Sequence, residues 1–270
     1  MLARALRRTA IARASALDGR RSIAAAGARA SFEDLTASAD PEQLEFMQEM
    51  VIQVDEQDNV LGPMTKKDSH FHDGVLHRAF SVFLFNSKNE LLIQKRAAEK
   101  ITFPSYWANT CCSHPLFRPE ELEDGLGVKR AAIRKLDHEL GIPTSSFQVD
   151  ELKYVTTVLY KVRMHSLAVH IRPDGAASDP NWTEYEVDHI LLARGDVSMD
   201  INPNEVEQVE FVRREQLDAL LADKSRLLSP WFRLIATHLL PAWWDNLDAM
   251  LQRDSSERQI HNYCGRSPTN

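Results

Sequence analysis

The sequence predicts an α+β fold built on a mixed β-sheet. Three observations carry this. Strand-like and helix-like stretches interleave without a strict β-α-β rhythm, which disfavours an all-parallel sheet. The run Ala79–Asn86 is nearly continuous in apolar residues and of strand length, as expected for a strand covered on both faces. The stretch Val128–Leu140 places Ala131, Ile133, Leu136 and Leu140 on one helical face and is closed by Gly141 and Pro143. A chain of 270 residues, 43% hydrophobic and 26% charged, is long enough and apolar enough for a sizeable core.

Residues 1–30 hold seven arginines, eleven alanines and one acid, Asp18. An Arg-rich, Ala-rich, acid-poor start has the composition of an organelle targeting peptide, mitochondrial in the first instance, with a cytoplasmic or peroxisomal location as the alternative. That segment carries +6 against −7 for the whole chain, so the remainder carries −13. An acidic body argues against nucleic acid as a partner. No window approaches 18 uninterrupted apolar residues, so no membrane span is expected. Three cysteines cannot form a full disulfide framework, and adjacent Cys111 and Cys112 are poor partners for each other, so reduced thiols inside a cell are expected.

Residues 31–45, polar and broken by Pro41, read as a linker, and a single domain is expected over 46–252. Met50–Asp55 reads as a strand, turned by Glu56–Asn59 into a short return strand at Val60–Pro63. Residues 64–77 read as a polar loop carrying Lys66, Lys67, His70, His72 and His77. Ser87–Glu90 turns the strand Ala79–Asn86 into a partner at Leu91–Arg96, a hairpin. Residues 97–118 read mostly as loop. Strand alternation follows at Tyr154, Thr156, Val158, Tyr160 and Val162, then strands at Glu184–Ala193 and Val206–Val212. Helices are expected at Arg214–Ala222, Ser229–Leu240 and Ala242–Leu251, with a polar tail over 253–270.

Four groups of residues carry possible chemistry. The stretch Trp107–Pro115 sets Cys112 two residues from His114; it is either a reactive thiol beside an imidazole or a packed core pair. Glu184 and Glu186 leave one face of a strand, and paired carboxylates repel unless a cation or a shared proton intervenes. Ile190 and Leu192 lie in phase with them, so that face turns apolar. With three spare imidazoles nearby in the chain, the pair points to a divalent metal with mixed nitrogen and oxygen ligands, although any one histidine alone reads as an ordinary loop residue. Lys66, Arg96, Lys100 and Lys135 converge on the same loops, which in an acidic protein points to an anion such as phosphate; singly, each reads as a solvated charge.

The segments Thr65–Lys67, Leu76–Asn86, Lys100–Pro104, Asn109–Leu116, Glu139–Pro143, Glu184–Asp188, Ser229–Phe232 and Trp243–Leu247 together resemble the type I isopentenyl-diphosphate Δ-isomerases, in particular the animal-type branch. The resemblance implies a Nudix fold, with a mixed sheet sandwiched between helices, a core at about 75–233, extra N-terminal strands and extra C-terminal helices. It implies interconversion of isopentenyl and dimethylallyl diphosphate for isoprenoid and sterol biosynthesis. By the same resemblance Cys112, Glu186, Tyr160 and Trp231 are catalytic. Lys66, Arg96, Lys100, Ser113 and Lys135 contact the diphosphate. His70, His77, His114, Glu184 and Glu186 hold a divalent metal (Zn²⁺, Mn²⁺ or Mg²⁺), and Glu139 holds a Mg²⁺ that bridges to the diphosphate. His70 is preferred over His72 because its spacing from Lys66 matches. A monomer acting on a small molecule is expected.

One departure from ordinary Nudix hydrolases is informative. Their helix signature carries three acids, where the aligned stretch Arg134–Ile142 keeps Glu139 and has Lys135 and His138 in place of the other two. That loses ligands for activating water and adds a cation suited to holding a diphosphate intact. The rival readings are a Nudix-type pyrophosphohydrolase and a non-catalytic metal-stabilised interaction domain.

Overall fold

The computed structural model describes residues 31–164, 182–253 and 259–265. The proposed targeting segment and most of the long insert before Glu184 lie outside them.

The chain starts with two short helices, α1 (Phe32–Thr36) and α2 (Pro41–Phe46). This corrects the linker expectation. Pro41 is no breaker here: it occupies the first turn of α2, where its missing N–H costs nothing, and Asp40 caps the helix by accepting from Glu42 N. Strands β1 (Met50–Val54) and β2 (Val60–Thr65) form the expected antiparallel pair. The polar loop that follows contains a one-turn helix, α3 (Lys66–His70), capped by Thr65.

Strand β3 (His77–Phe85) is the spine of the sheet. It runs parallel to β8 (Thr183–Arg194) along its whole length, His77 facing Glu186 and Phe85 facing Arg194. The expected hairpin to β4 (Leu91–Arg96) consists of the single pair Phe85↔Leu91. Beyond it β4 leaves to pair with β5 (Trp107–Ala108) and β9 (Val206–Val212). The supposed loop over 97–118 thus supplies two strands, β5 and β6 (Cys111–Ser113), and β6 lies antiparallel on β3. Helices α4 (Pro119–Leu122) and α5 (Gly127–Leu140) follow. Strand β7 (Lys153–Arg163) pairs antiparallel with β8. After β9 come α6 (Leu217–Ala222), α7 (Pro230–His238), α8 (Leu240–Asp245) and α9 (Leu247–Leu251). Within the polar tail lies a further short strand, β10 (Ile260–Asn262), parallel to β7.

Alternation along β3 explains the layers. Phe83 and Phe85 enter the core cluster beneath α7–α9, which also holds Ile190, Leu192, Trp231 and Trp243. Phe80, Val82 and Leu84 point the other way, into the cluster with Leu136 and Leu140 of α5. A period of two on the strand therefore feeds two helical layers, and the sheet is sandwiched between helices as expected. Gly141 ends α5 in the left-handed region (φ 60°), and a Cβ there would lie 2.2 Å from the Asp200 backbone oxygen, so only glycine fits. Among the described residues no helix is long and apolar enough to cross a membrane.

Candidate active site and metal-ligand cluster

Strand pairing builds the site. Glu186 on β8 has His77 of β3 on one side and Tyr160 of β7 on the other, each directly opposite in register. The turn of α3 delivers His70, and the residue after β6 is His114. His70, His77, His114, Glu184 and Glu186 are all buried, and one ligand atom from each falls within 4.8 Å of all the others.

The hydrogen bonds around the rings fix their tautomers. His70 Nδ1 donates to the Lys66 carbonyl at 2.8 Å, and His77 Nδ1 donates to the Val75 carbonyl at 2.7 Å. A carbonyl only accepts, so Nδ1 carries a proton in both rings, and in the neutral form of each the Nε2 lone pair faces the cluster. There His70 Nε2 meets Glu184 Oε2 at 2.9 Å, and His114 Nε2 meets Glu186 Oε1 at 2.9 Å. His77 Nε2 is buried without a hydrogen-bond partner. Lone pairs converging on carboxylates call for a cation between them, so the donor set fits a divalent metal of the kind that accepts imidazole and carboxylate together. His72 is excluded from the cluster. It follows the end of α3, has a left-handed backbone (φ 56°) and stacks against Phe71.

A cavity opens beside the cluster. It is lined by Cys112, Ser113, Tyr160, Glu186 and Trp231 together with Lys66, Arg96, Lys100 and Glu139, and Arg96 lies within reach of both Cys112 and Trp231. Lys135 stands beside Glu139 of that lining, its Nζ 3.4 Å from the carboxylate and 3.0 Å from His138 Nδ1. The sequence-derived candidates are therefore one neighbourhood in space. The two cysteines part ways as strand alternation requires: Cys111 pairs with Val82 and packs against α5, while Cys112 pairs with Ser81 and faces the cavity.

Burial governs the protonation states. It pushes the Cys112 thiol up to about 12, against the pull of the Arg96 guanidinium 4.0 Å from Sγ, so sulfur keeps its proton at neutral pH. Burial also pushes Glu186 upward, but the His77 ring 3.6 Å away and a hydrogen bond from the Tyr160 hydroxyl outweigh it and leave the carboxyl below its ordinary range. Tyr160 itself is raised well above 10 by burial and by Glu186. Burial, then the adjacent Lys100, brings the Lys66 ammonium down to about 8.

Sequence reasoning missed several residues here. Asp188 is buried in phase with Glu184 and Glu186, accepts from Ser81 Oγ at 2.9 Å, and is raised far above its ordinary range by burial and by Glu186. Its spacing of two from Glu186 was a visible signal. Gln94, which donates to Glu139 at 3.1 Å, and Asn109, which accepts from the Trp231 indole at 3.2 Å, gave none.

The NUDIX domain model matches residues 75–232, more than half of the chain, and gives the class of protein to which this fold belongs. The isopentenyl-diphosphate delta-isomerase of Gibberella zeae is 44% identical over 244 residues, 85% of this chain and 91% of that one. The Bos taurus isopentenyl-diphosphate Delta-isomerase is 43% identical over 80% of this chain and 92% of its own. The Dictyostelium discoideum enzyme of the same name is 42% identical over 82% and 92%. The chain belongs to the isopentenyl-diphosphate Δ-isomerase family.

Proposed function

We propose that this protein interconverts isopentenyl diphosphate and dimethylallyl diphosphate by adding a proton at one end of the allylic unit and removing one at the other. The observation that carries the reading is the pairing, in one buried cavity, of a protonated thiol, Cys112, with a carboxylate, Glu186. In either direction one group gives a proton to carbon and the other takes one, so the substrate's net proton count is unchanged. Protonating the alkene leaves a tertiary carbocation. The Trp231 indole face stabilises it by cation–π attraction without offering a nucleophile. The burial of Trp231 and Tyr160 keeps water from trapping it. Tyr160, hydrogen-bonded to Glu186, orients that carboxyl and assists its proton exchange.

The diphosphate is remote from the reacting carbons and anchors them. Lys66, Arg96, Lys100 and Ser113 line the cavity for that purpose, with Lys135 beside Glu139. Glu139, buried at 4% exposure, would hold a Mg²⁺, a cation that suits one carboxylate together with a phosphate-bearing substrate. His70, His77, His114, Glu184 and Glu186 would hold the second divalent metal, Zn²⁺, Mn²⁺ or Mg²⁺. Bound there, it lowers the proton affinity of Glu186 and fixes its orientation. The hydrolase alternative lacks support along α5, where Lys135 and His138 stand in place of acids and Lys135 lies against Glu139. In the cell the enzyme acts as a monomer, delivered to an organelle by residues 1–30, and serves isoprenoid and sterol synthesis.

The test is Cys112→Ser in D₂O with isopentenyl diphosphate. The variant folds and binds metal, while deuterium incorporation into the allylic product is lost. Turnover at the wild-type rate would rule out the mechanism.

A further inference from the structure

Glu205 lies just outside the cavity, immediately before β9, and no role in the reaction given above uses it. It is 2% exposed. Its Oε2 accepts from Lys100 Nζ at 2.6 Å and lies 3.7 Å from Lys135 Nζ. Its Oε1 accepts from Gln43 Nε2 at 2.7 Å. The backbone is fixed as well: the Glu205 N–H donates to the Asn202 carbonyl, and its own carbonyl accepts from Ala97, which opens the loop carrying Lys100. Helix α2 is tied to the same turn, because Asn204 Nδ2 donates to Asp40 and Glu42, and Gln43 Nε2 also contacts Asn204 Oδ1 at 2.8 Å.

The charges make the arrangement necessary. Lys66, Lys100 and Lys135 crowd one buried corner and repel one another. A lysine side chain has four rotatable bonds, so an unrestrained Lys100 would swing outward to water. The Glu205 carboxylate removes that tendency for Lys100, which it hydrogen-bonds, and draws in Lys135 at 3.7 Å. The geometry is that of a bracket: Gln43 holds Glu205, and Glu205 holds the lysines from the side away from the cavity.

We propose that Glu205 is a positioning residue for diphosphate binding, its carboxylate, clamped by Gln43 of α2, keeping the Lys100 and Lys135 ammonium groups set for the phosphate oxygens. This rests on the reading of the cavity as a diphosphate site. It also gives the N-terminal helix a part in substrate affinity, carried by a single amide.

The experiment compares full-length wild type, Glu205→Gln and Gln43→Leu in two measurements: calorimetric binding of inorganic pyrophosphate with Mg²⁺, and steady-state isomerisation of isopentenyl diphosphate. Losing a charge-assisted contact to a fixed lysine is expected to raise both the pyrophosphate Kd and the KM about tenfold in Glu205→Gln, with kcat within about threefold. Gln43→Leu shifts Kd and KM the same way by a smaller factor. In a Lys100→Gln background, Glu205→Gln adds less than it does alone, because the lysine it hydrogen-bonds is gone and only Lys135 remains to be held. Wild-type protein that neither isomerises nor binds pyrophosphate would sink the functional reading itself. With an active wild type, unchanged or tighter pyrophosphate binding by Glu205→Gln would overturn the positioning role and leave a mere counter-charge. A loss confined to kcat would overturn it too. Should Glu205→Gln fail to fold, Gln43→Leu decides alone: an unchanged Kd refutes the proposal.

Discussion

Replacing Trp231 tests the carbocation directly. The indole is 4% exposed at the start of α7. Its N–H donates to Asn109 Oδ1 at 3.2 Å, and the Phe103 ring meets it edge-on, centroids 5.2 Å apart at 90°. The plane is thus held from two directions. The ring already sits near a cation, the Arg96 guanidinium, 5.7 Å from its centroid. Arg96 does not depend on that contact, because it also donates to the Phe103 carbonyl at 3.1 Å and the Thr102 carbonyl at 2.8 Å. Trp231→Leu therefore removes the aromatic face and leaves Arg96 held in place. A desolvated cation–π contact is worth about 2 kcal/mol. At about 1.4 kcal/mol per factor of ten, kcat should fall about 30-fold. Trp231→Phe keeps a weaker quadrupole and should lie between Leu and wild type. The assay is deuterium incorporation in D₂O for kcat, with calorimetric pyrophosphate binding as the control, expected within about twofold of wild type. Equal rates for Phe and Leu, or a loss confined to pyrophosphate affinity, would refute the cation–π role.

Two further outcomes follow from the electrostatics. Lys66, brought down to about 8 by burial and by Lys100, carries its charge below that pH and loses it above, so kcat/KM should decline as pH rises through about 8. In Lys66→Arg the group stays charged and that limb should disappear from a profile over pH 6–10; its persistence would assign the limb elsewhere. At the ligand cluster, His77→Asn should weaken divalent-metal affinity at least about tenfold in competition with a chromophoric chelator, while His72→Asn, outside the cluster, should leave it unchanged.

Much of the site was legible because strand alternation is a local property. Glu184 and Glu186 share a face, and Cys111 and Cys112 do not, whatever the strands pair with. The helix α5 was legible for the same reason, with period 3.6 and a glycine stop. Pairing partners were not. The turn after Phe85 suggested β4 as the neighbour of β3, but β3 spends its length on β8, about a hundred residues away, and nothing in either segment encodes that register. Helices α1 and α2 are five and six residues long, too short to display a period, and a proline at the first turn looks like a breaker when read alone. Strand β10 is held on β7 through backbone pairing, and three polar-flanked residues carry no pattern. Glu205 was invisible because its meaning lies in Gln43, 162 positions away.

The register of β6 is what the chemistry rests on. Only three residues pair with β3, and a slip by one would turn Cys112 into the core against α5 and bring Cys111 to the cavity. Three backbone pairs are a weak restraint, so the register needs side chains. Asn109 supplies two bonds from its amide, to the Val82 carbonyl at 3.1 Å and the Cys111 carbonyl at 2.9 Å. Thr110 Oγ1 donates to the Leu92 carbonyl at 2.6 Å and accepts from Leu84 N at 2.8 Å, bridging β3 and β4. Both side chains are fully buried, where breaking such bonds is costly. The remaining oxygen of Asn109 takes the Trp231 indole N–H. One amide therefore sets which thiol faces the cavity and how the aromatic plane is presented to it. In the proposed mechanism, proton transfer and cation stabilisation are thereby referenced to the same backbone position, although the side chains assigned to them, Cys112 and Trp231, are 119 residues apart in sequence.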